Sequence, residues 1–394
     1  MMGKSSFGDA MCWHGMWLLT PCLAGLLSLL SAAAWCQLNA QNVPFQYEAE
    51  GIRIPGAWDQ EPLAGKFSSQ TALSYLDEGA RAWTESRDCI SCHTNGSYGL
   101  IRPMLTASAG PPPDWLRSFL VEELKEQGTH EVARLRQGIR PTQLVYLAAN
   151  LASWDRNLAK ACSPETDRAL RLMFDSQDAD GSFANDRCWP PLESSAFQSA
   201  TVAALAVAMA PGWFEDLAPD DPVRKSLKRL RRLLTQSQVP HDYARVWLLW
   251  VSALLPEWFP DARRDGWLRM IQDLQGADGG WSLRRFASAE AWGDGSRAER
   301  LGKESESERL ASDGHMTGLV SLVLRQLGFD PSHPPLAAGL KWLETNQRIS
   351  GRWWTRSLNT DRYHFITFSG SCYALAALDG VDSTTQAESL ADKP

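Results

Sequence analysis

"QGADGGW", residues 275–281, sets a glutamine, three residues, a glycine, one further residue and a tryptophan. The same order returns in "QDADGSF" at 177–183 and in "QRISGRW" at 347–353. Each closes an amphipathic run ("WLRMIQDLQ", "DRALRLMFDSQ" and "LKWLETNQ") where a glycine is needed to turn the chain out of a helix. The aromatic after that glycine can pack back against the glutamine and the next helix, so the unit reads as a repeated corner brace.

Every brace is followed by a loop and a more apolar helix: "SSAFQSATVAALAVAMA" from 194, "DGHMTGLVSLVLRQLG" from 313 and "FITFSGSCYALAALDG" from 365. Half-polar outer helices thus alternate with apolar inner ones. Two unbraced pairs, 115–127 with 140–154 and 223–238 with 240–256, fill the gaps, and "ALSYLDEGARAWTES" with "LIRPMLTA" supplies a first pair. The expected fold is therefore all-α, an (α/α)6 toroid of six helical hairpins in which outer helices cover the seams between inner ones.

The braces resemble the QW repeats of the squalene-hopene cyclase and prenyltransferase β-subunit superfamily of α/α toroids. The resemblance covers roughly residues 70–380 by pattern and implies a terpenoid cyclase/prenyltransferase-like fold rather than a particular reaction. The cyclases protonate an alkene with an Asp-x-Asp-Asp motif, which is absent here: Asp178 and Asp180 belong to a brace turn, and Asp220 and Asp221 to a Pro-rich connector. The prenyltransferases hold zinc with an aspartate, a cysteine and a histidine. Asp313, His315, His364 and Cys372 mimic that set without its Asp-x-Cys spacing.

In the first hairpin the place of a brace is taken by "RDCISCHTNGSYG", residues 87–99, with Gly96 and Tyr98 standing where glycine and aromatic stand elsewhere. Cys89, Cys92 and His93 form a Cys-x-x-Cys-His run at 89–93. Its two thiols, one helical turn apart, suit addition across two vinyl groups while the adjacent imidazole takes the iron, so the expected cofactor is covalently bound haem c. Zinc would want a second ligand pair and a thioredoxin-like pair a strand before the helix; neither accompanies the run. The sixth ligand is open among His364, His315 and Met104, with His130, His241 and His333 further off, or the iron is five-coordinate. Arg102 is a candidate partner for a haem propionate.

The N-terminus agrees with this chemistry. Residues 1–36, with Lys4, an apolar stretch from Met16 to Ala34 and the small residues of "SAAAW", read as a signal peptide or an uncleaved membrane anchor, since roughly 20 apolar residues cross a bilayer. Lipidation at Cys36 is disfavoured by the bulky Trp35. An extended segment, 37–69, leads into the toroid at 70–380, and a polar tail, 381–394, follows. The protein is expected to be exported, periplasmic or membrane-anchored with the toroid outside the cytoplasm, where c-type haem is attached. There Cys162 and Cys188 could pair, or both remain thiols.

The net charge of −7 over 394 residues, 44% of them hydrophobic and 22% charged, gives no reason to expect nucleic acid as a partner. "RKSLKRLRRLL" from 224 suits an outer helix and offers a docking face for an acidic redox partner or anionic lipid. "SRAERLGKESESERLAS", 296–312, reads as a solvated loop over one mouth of the ring. Three functions follow: an exported c-type haem protein with a redox or electron-transfer role and a redox partner, a toroid enzyme acting on an apolar isoprenoid-like molecule in the ring, or a non-catalytic binding scaffold.

Overall fold

In the computed structural model, residues 43–184, 189–192 and 195–380 are described. The signal peptide or anchor at 1–36, the tail at 381–394 and Cys188, with its pairing to Cys162, lie outside the described residues. The chain divides into two units, Met1–Pro44 and Phe45–Pro394, and every helix among the described residues belongs to the second. None of these helices is long and apolar enough to cross a membrane.

The described chain is all-α apart from one antiparallel hairpin, β1 (Phe45–Ala49) with β2 (Ile52–Pro55). That hairpin falls in the segment expected to be merely extended, and Tyr47 and Ile54 bury themselves in the helical core. Twelve helices then carry the architecture: α1 (Ser69–Arg87), α2 (Asn95–Ile101), α3 (Asp114–Gln127), α4 (Arg140–Trp154), α5 (Pro164–Asp175), α6 (Ala196–Met209), α7 (Val223–Gln236), α8 (Asp242–Leu254), α9 (Asp261–Asp273), α10 (Gly314–Gln326), α11 (Pro334–Asn346) and α12 (Ile366–Leu378).

The even-numbered helices pack on one another in order, α2 on α4, α4 on α6, α6 on α8, α8 on α10 and α10 on α12, and α12 returns to α2. The odd-numbered ones lie against these, α1 touching α2 and α12, α5 touching α4 and α6, and α11 touching α10 and α12. Sequence decides which is which. On α7 only the stripe Val223, Leu227, Leu230 and Leu234 is buried, whereas every residue of α12 is. Small residues let the inner helices close up: a Cβ on Gly318 of α10 would stand 2.7 Å from the Ala374 amide of α12.

The three braces are built alike. Gln177 Nε2 donates to the carbonyls of Gly181 and Ser226, both at 3.1 Å. Gln275 Nε2 donates to Gly279 and Pro335, both at 2.8 Å, and Gln347 Nε2 to Gly351 at 3.2 Å and Ser68 at 2.9 Å. Each glutamine thus closes its own turn with one proton and holds the next outer helix with the other. The glycines carry φ of +100°, +87° and +90°, a region costly for side-chain-bearing residues. They also abut that next helix, for a Cβ on Gly351 would lie 2.4 Å from the Thr71 carbonyl. Phe183, Trp281 and Trp353 are fully buried. The tryptophan indoles donate back to Ile271 and Leu343, at 2.8 and 2.7 Å. The third brace reaches Ser68, the N-cap of α1, and so joins the last hairpin to the first.

Three local expectations change. Gly96 and Tyr98 do not form a brace turn. They lie inside α2, which starts at Asn95, and Tyr98 donates to Asp77 at 2.6 Å. The helix expected over "LIRPMLTA" tightens at Arg102–Leu105 into a 3-10 turn around Pro103, whose ring cannot continue an α-helical hydrogen-bond ladder. The segment 296–312 is not simply a solvated loop. It carries short helices at Ala298–Leu301 and Glu306–Leu310, and its Glu304 is buried against Arg284 in a two-pronged pair at 2.9 and 3.0 Å.

Candidate functional site

The turn between α1 and α2 is fixed from within, and Asn95 makes most of its side-chain hydrogen bonds. Asn95 accepts from the Ser91 amide at 2.8 Å and donates to the Cys89 carbonyl at 2.9 Å and the Thr84 hydroxyl at 3.1 Å. Asn95 thereby holds the backbone of the Cys-x-x-Cys-His run at Cys89 and Ser91. Cys89, Cys92 and His93 all line a single cleft of about 250 Å³, just under the usual size of small-molecule sites.

The cleft lies where inner helices begin. Its residues come from the turn before α2, the start of α4, the connector ahead of α6 and the segment leading into α12. One wall is Trp83, Tyr363, Phe365 and Ile366, and the other is the run Trp189–Leu192 with its cis Pro190–Pro191 bond. Asn359 ties the two sides together by donating to the Pro190 carbonyl at 2.7 Å. Thr142, Gln143, Ser357 and Asn359 give the cleft a polar corner.

His93 packs between the Phe365 ring at 4.6 Å and the edge of Trp83 at 4.8 Å. Its Nδ1 is 2.7 Å from the Thr94 hydroxyl, and Nε2 has no hydrogen-bond partner among the described residues. Burial pulls the His93 pKa down to about 3, so the ring is neutral, the form that ligates a metal. Burial also pushes the Cys89 thiol up, with the nearby Glu123 charge acting in the same direction.

The other expected site residues lie elsewhere. Arg102 is buried, its guanidinium donating to the carbonyls of Gly110 at 2.9 Å and Pro111 at 3.0 Å and forming an ion pair with Asp77 at 3.5 Å; it does not line the cleft. Met104 lines a different pocket, with Leu322 and Arg325. His315 is in the core, its Nε2 3.0 Å from the Tyr243 hydroxyl and its Nδ1 3.3 Å from Ser369. His364 sits between cleft residues Tyr363 and Phe365, yet its own ring turns to Trp354 at 4.5 Å and its Nδ1 accepts from the Ser357 amide at 3.0 Å. Asp313 caps α10 by accepting from the Met316 amide at 3.0 Å, Cys372 is core, and no group of three or more metal-ligating side chains occurs among the described residues.

Buried aromatic side chains link even-numbered helices that are not consecutive. Trp247 and Trp250 of α8 stack at 5.5 Å. Trp247 reaches Tyr373 of α12 at 6.0 Å, across from one inner helix to another that is not its neighbour. His315 of α10 bridges Tyr243 at 5.8 Å and Tyr373 at 5.4 Å, and all five rings are fully buried.

Sequence reading missed Thr94, Asn95, Tyr47 and the walls of the cleft. Thr94 and Asn95 follow the motif directly and are polar where a helix begins, a signal that was there to use. Tyr47, Trp189 and Phe365 arrive from distant segments and leave no local trace. No protein-family model matches the chain, and no curated protein matches it.

Proposed function

We propose that residues 70–380 form an (α/α)6 toroid of the terpenoid cyclase/prenyltransferase type that has been turned into an exported carrier of covalent haem c with a redox or electron-transfer role. The cyclic order of contacts from α2 to α12 and back, together with three braces that share the same glutamine hydrogen bonds, supports the toroid. The observation that carries the function is the convergence of Cys89, Cys92 and His93 on one cleft with flat aromatic and proline walls. The donor set fits the group: two thiols for the thioether bonds and a neutral imidazole whose Nε2 is uncommitted. When bound, a haem supplies a one-electron Fe(III)/Fe(II) couple.

The chain's own part is to orient and to shield. Asn95 holds the motif's backbone, Phe365 and Trp83 fix the imidazole plane, and the 189–192 wall covers the second side of the cleft. A redox protein partner would approach the cleft rim, where Ile139 and Trp189 are exposed. The leader-like residues 1–36 support export, with membrane association through the N-terminus as one form of it. The buried ring contacts among Trp247, Trp250 and Tyr373 favour this reading over turnover of an isoprenoid-like molecule, because they fill space between the helices with protein side chains.

Expression with haem-maturation machinery, followed by haem staining of the denatured protein, is the test. Staining is expected for the wild type and its loss for the double variant Cys89→Ala/Cys92→Ala, because only thioether-linked haem survives denaturation. An unstained wild type would overturn the redox role and leave a binding scaffold.

A further inference from the structure

We propose that Thr94 and Tyr47 are positioning residues for the axial histidine: the Thr94 hydroxyl takes the Nδ1 proton of His93, Tyr47 holds that hydroxyl in line, and Nε2 is left facing the cleft. The proposal rests on the haem reading above and assigns work to two residues outside the attachment motif.

The three groups form a chain, with His93 Nδ1 2.7 Å from Thr94 Oγ1 and Thr94 Oγ1 3.3 Å from the Tyr47 hydroxyl. Thr94 is fully buried and Tyr47 nearly so, which shelters the chain from competing water. Tyr47 belongs to β1, 47 residues before Thr94, and its ring is wedged between Phe368 at 5.4 Å and Phe365 at 6.0 Å. Phe365, just before α12, is a ring that packs on His93, so Tyr47 touches two of the residues that hold the imidazole. This gives the hairpin a purpose beyond filling space.

A hydroxyl has one proton, so the chain can run in two directions. If Thr94 donates to Nδ1, the ring proton sits on Nε2 and that nitrogen has no lone pair to offer. If Nδ1–H donates to Thr94, Thr94 passes its own proton on to the Tyr47 oxygen and Nε2 is a ligand. A hydroxyl is also a neutral acceptor, so it orients the ring while pushing less electron density into it than a carboxylate would. The position of Thr94 does not depend on its hydroxyl. Its amide donates to Ser91 Oγ at 3.2 Å and its carbonyl accepts from the Tyr98 amide at 2.9 Å.

The test uses full-length wild type, Thr94→Val, Thr94→Ser and Tyr47→Phe, each prepared with and without haem maturation. All four should load covalent haem, since both cysteines are untouched. Losing the Nδ1 acceptor makes the imidazole a poorer donor to Fe(III), so Thr94→Val should show a more positive reduction potential. Thr94→Ser should restore the wild-type value, and Tyr47→Phe should shift it less in the same direction. In the chains without haem, ¹⁵N NMR should find His93 as the Nδ1–H tautomer in wild type and as a mixture in Thr94→Val. A loaded Thr94→Val at wild-type potential would overturn the proposal, as would an Nε2–H tautomer in the wild type. Absence of covalent haem from the wild type would instead strike the functional reading, with the NMR arm still deciding the tautomer.

Discussion

The brace turns and the turn between α1 and α2 occupy equivalent places in their hairpins and solve the same problem in opposite ways. In a brace, the glutamine reaches outward, one proton to its own turn and one to the next outer helix. In the first turn, Asn95 keeps its bonds at home, to Ser91, Cys89 and Thr84. A brace holds the assembly together and has no side chain left for chemistry. The first turn gives up that outward grip, and its two thiols and imidazole are left to face a cleft. Structural linkage and reactivity compete here for the same few residues, and the chain assigns them to different hairpins.

The sharpest way to break this contrast is Gly351→Ala. The new Cβ meets the Thr71 carbonyl at 2.4 Å on a backbone with φ of +90°, and a cost of about 3–5 kcal/mol is expected. Chemical denaturation should show a large drop in the urea midpoint, and a neutral outcome would remove the close approach on which the brace depends.

A finer comparison sets Gln347→Ala against Asn95→Ala. Gln347→Ala strands the Gly351 and Ser68 carbonyls and Asn95→Ala the Cys89 carbonyl and the Ser91 amide, at about 1–3 kcal/mol per lost partner. The readouts should part: Gln347→Ala lowers the denaturation midpoint but loads haem normally per folded molecule, whereas Asn95→Ala loses covalent haem out of proportion to its stability. Equal haem yields from the two variants would dissolve the distinction between linking and presenting turns.

The last effect is one of pH, spread over several groups. Burial lowers His93 and His315 to about 3 and His241 and His364 to about 4. Unfolding therefore takes up protons below about pH 6.5, and each group costs up to ~1.4 kcal/mol per pH unit as acidity rises towards its folded value. Glu123, raised to about 7 mainly by burial, works the other way: it is protonated in the fold, and its stabilising share is lost as pH rises from 4.5 through 7. Haem-free protein should lose stability from pH 6.5 down to 4. Glu123→Gln should steepen that loss and raise the midpoint at pH 8, both visible in urea titrations across pH.

How much of this was legible follows from how local each signal is. The braces could be read because glutamine, glycine and aromatic sit within seven residues and each has one job. Helix boundaries followed the amphipathic pattern, as with the leucines of α7. The motif's three reactive residues were plain, but their surroundings were not. Trp189, Phe365 and Tyr47 reach the cleft only because the helices bring distant turns to one place. Arg102 illustrates the same gap from the other side. Nearness in sequence suggested a cofactor contact, while the fold gives its guanidinium nearby backbone carbonyls and Asp77 to bond.

The hydrogen bond from Gln347 to Ser68 has a consequence for how this protein can be cut or extended. A stack of repeats with free ends tolerates shortening, because each truncation exposes one face that the stack already exposed. Here the final repeat is the neighbour of the opening one, so deleting any hairpin bares two surfaces at once. The domain should therefore resist stepwise trimming and melt in a single cooperative transition, while a permuted chain with new ends in the 296–312 segment keeps every contact of the circuit.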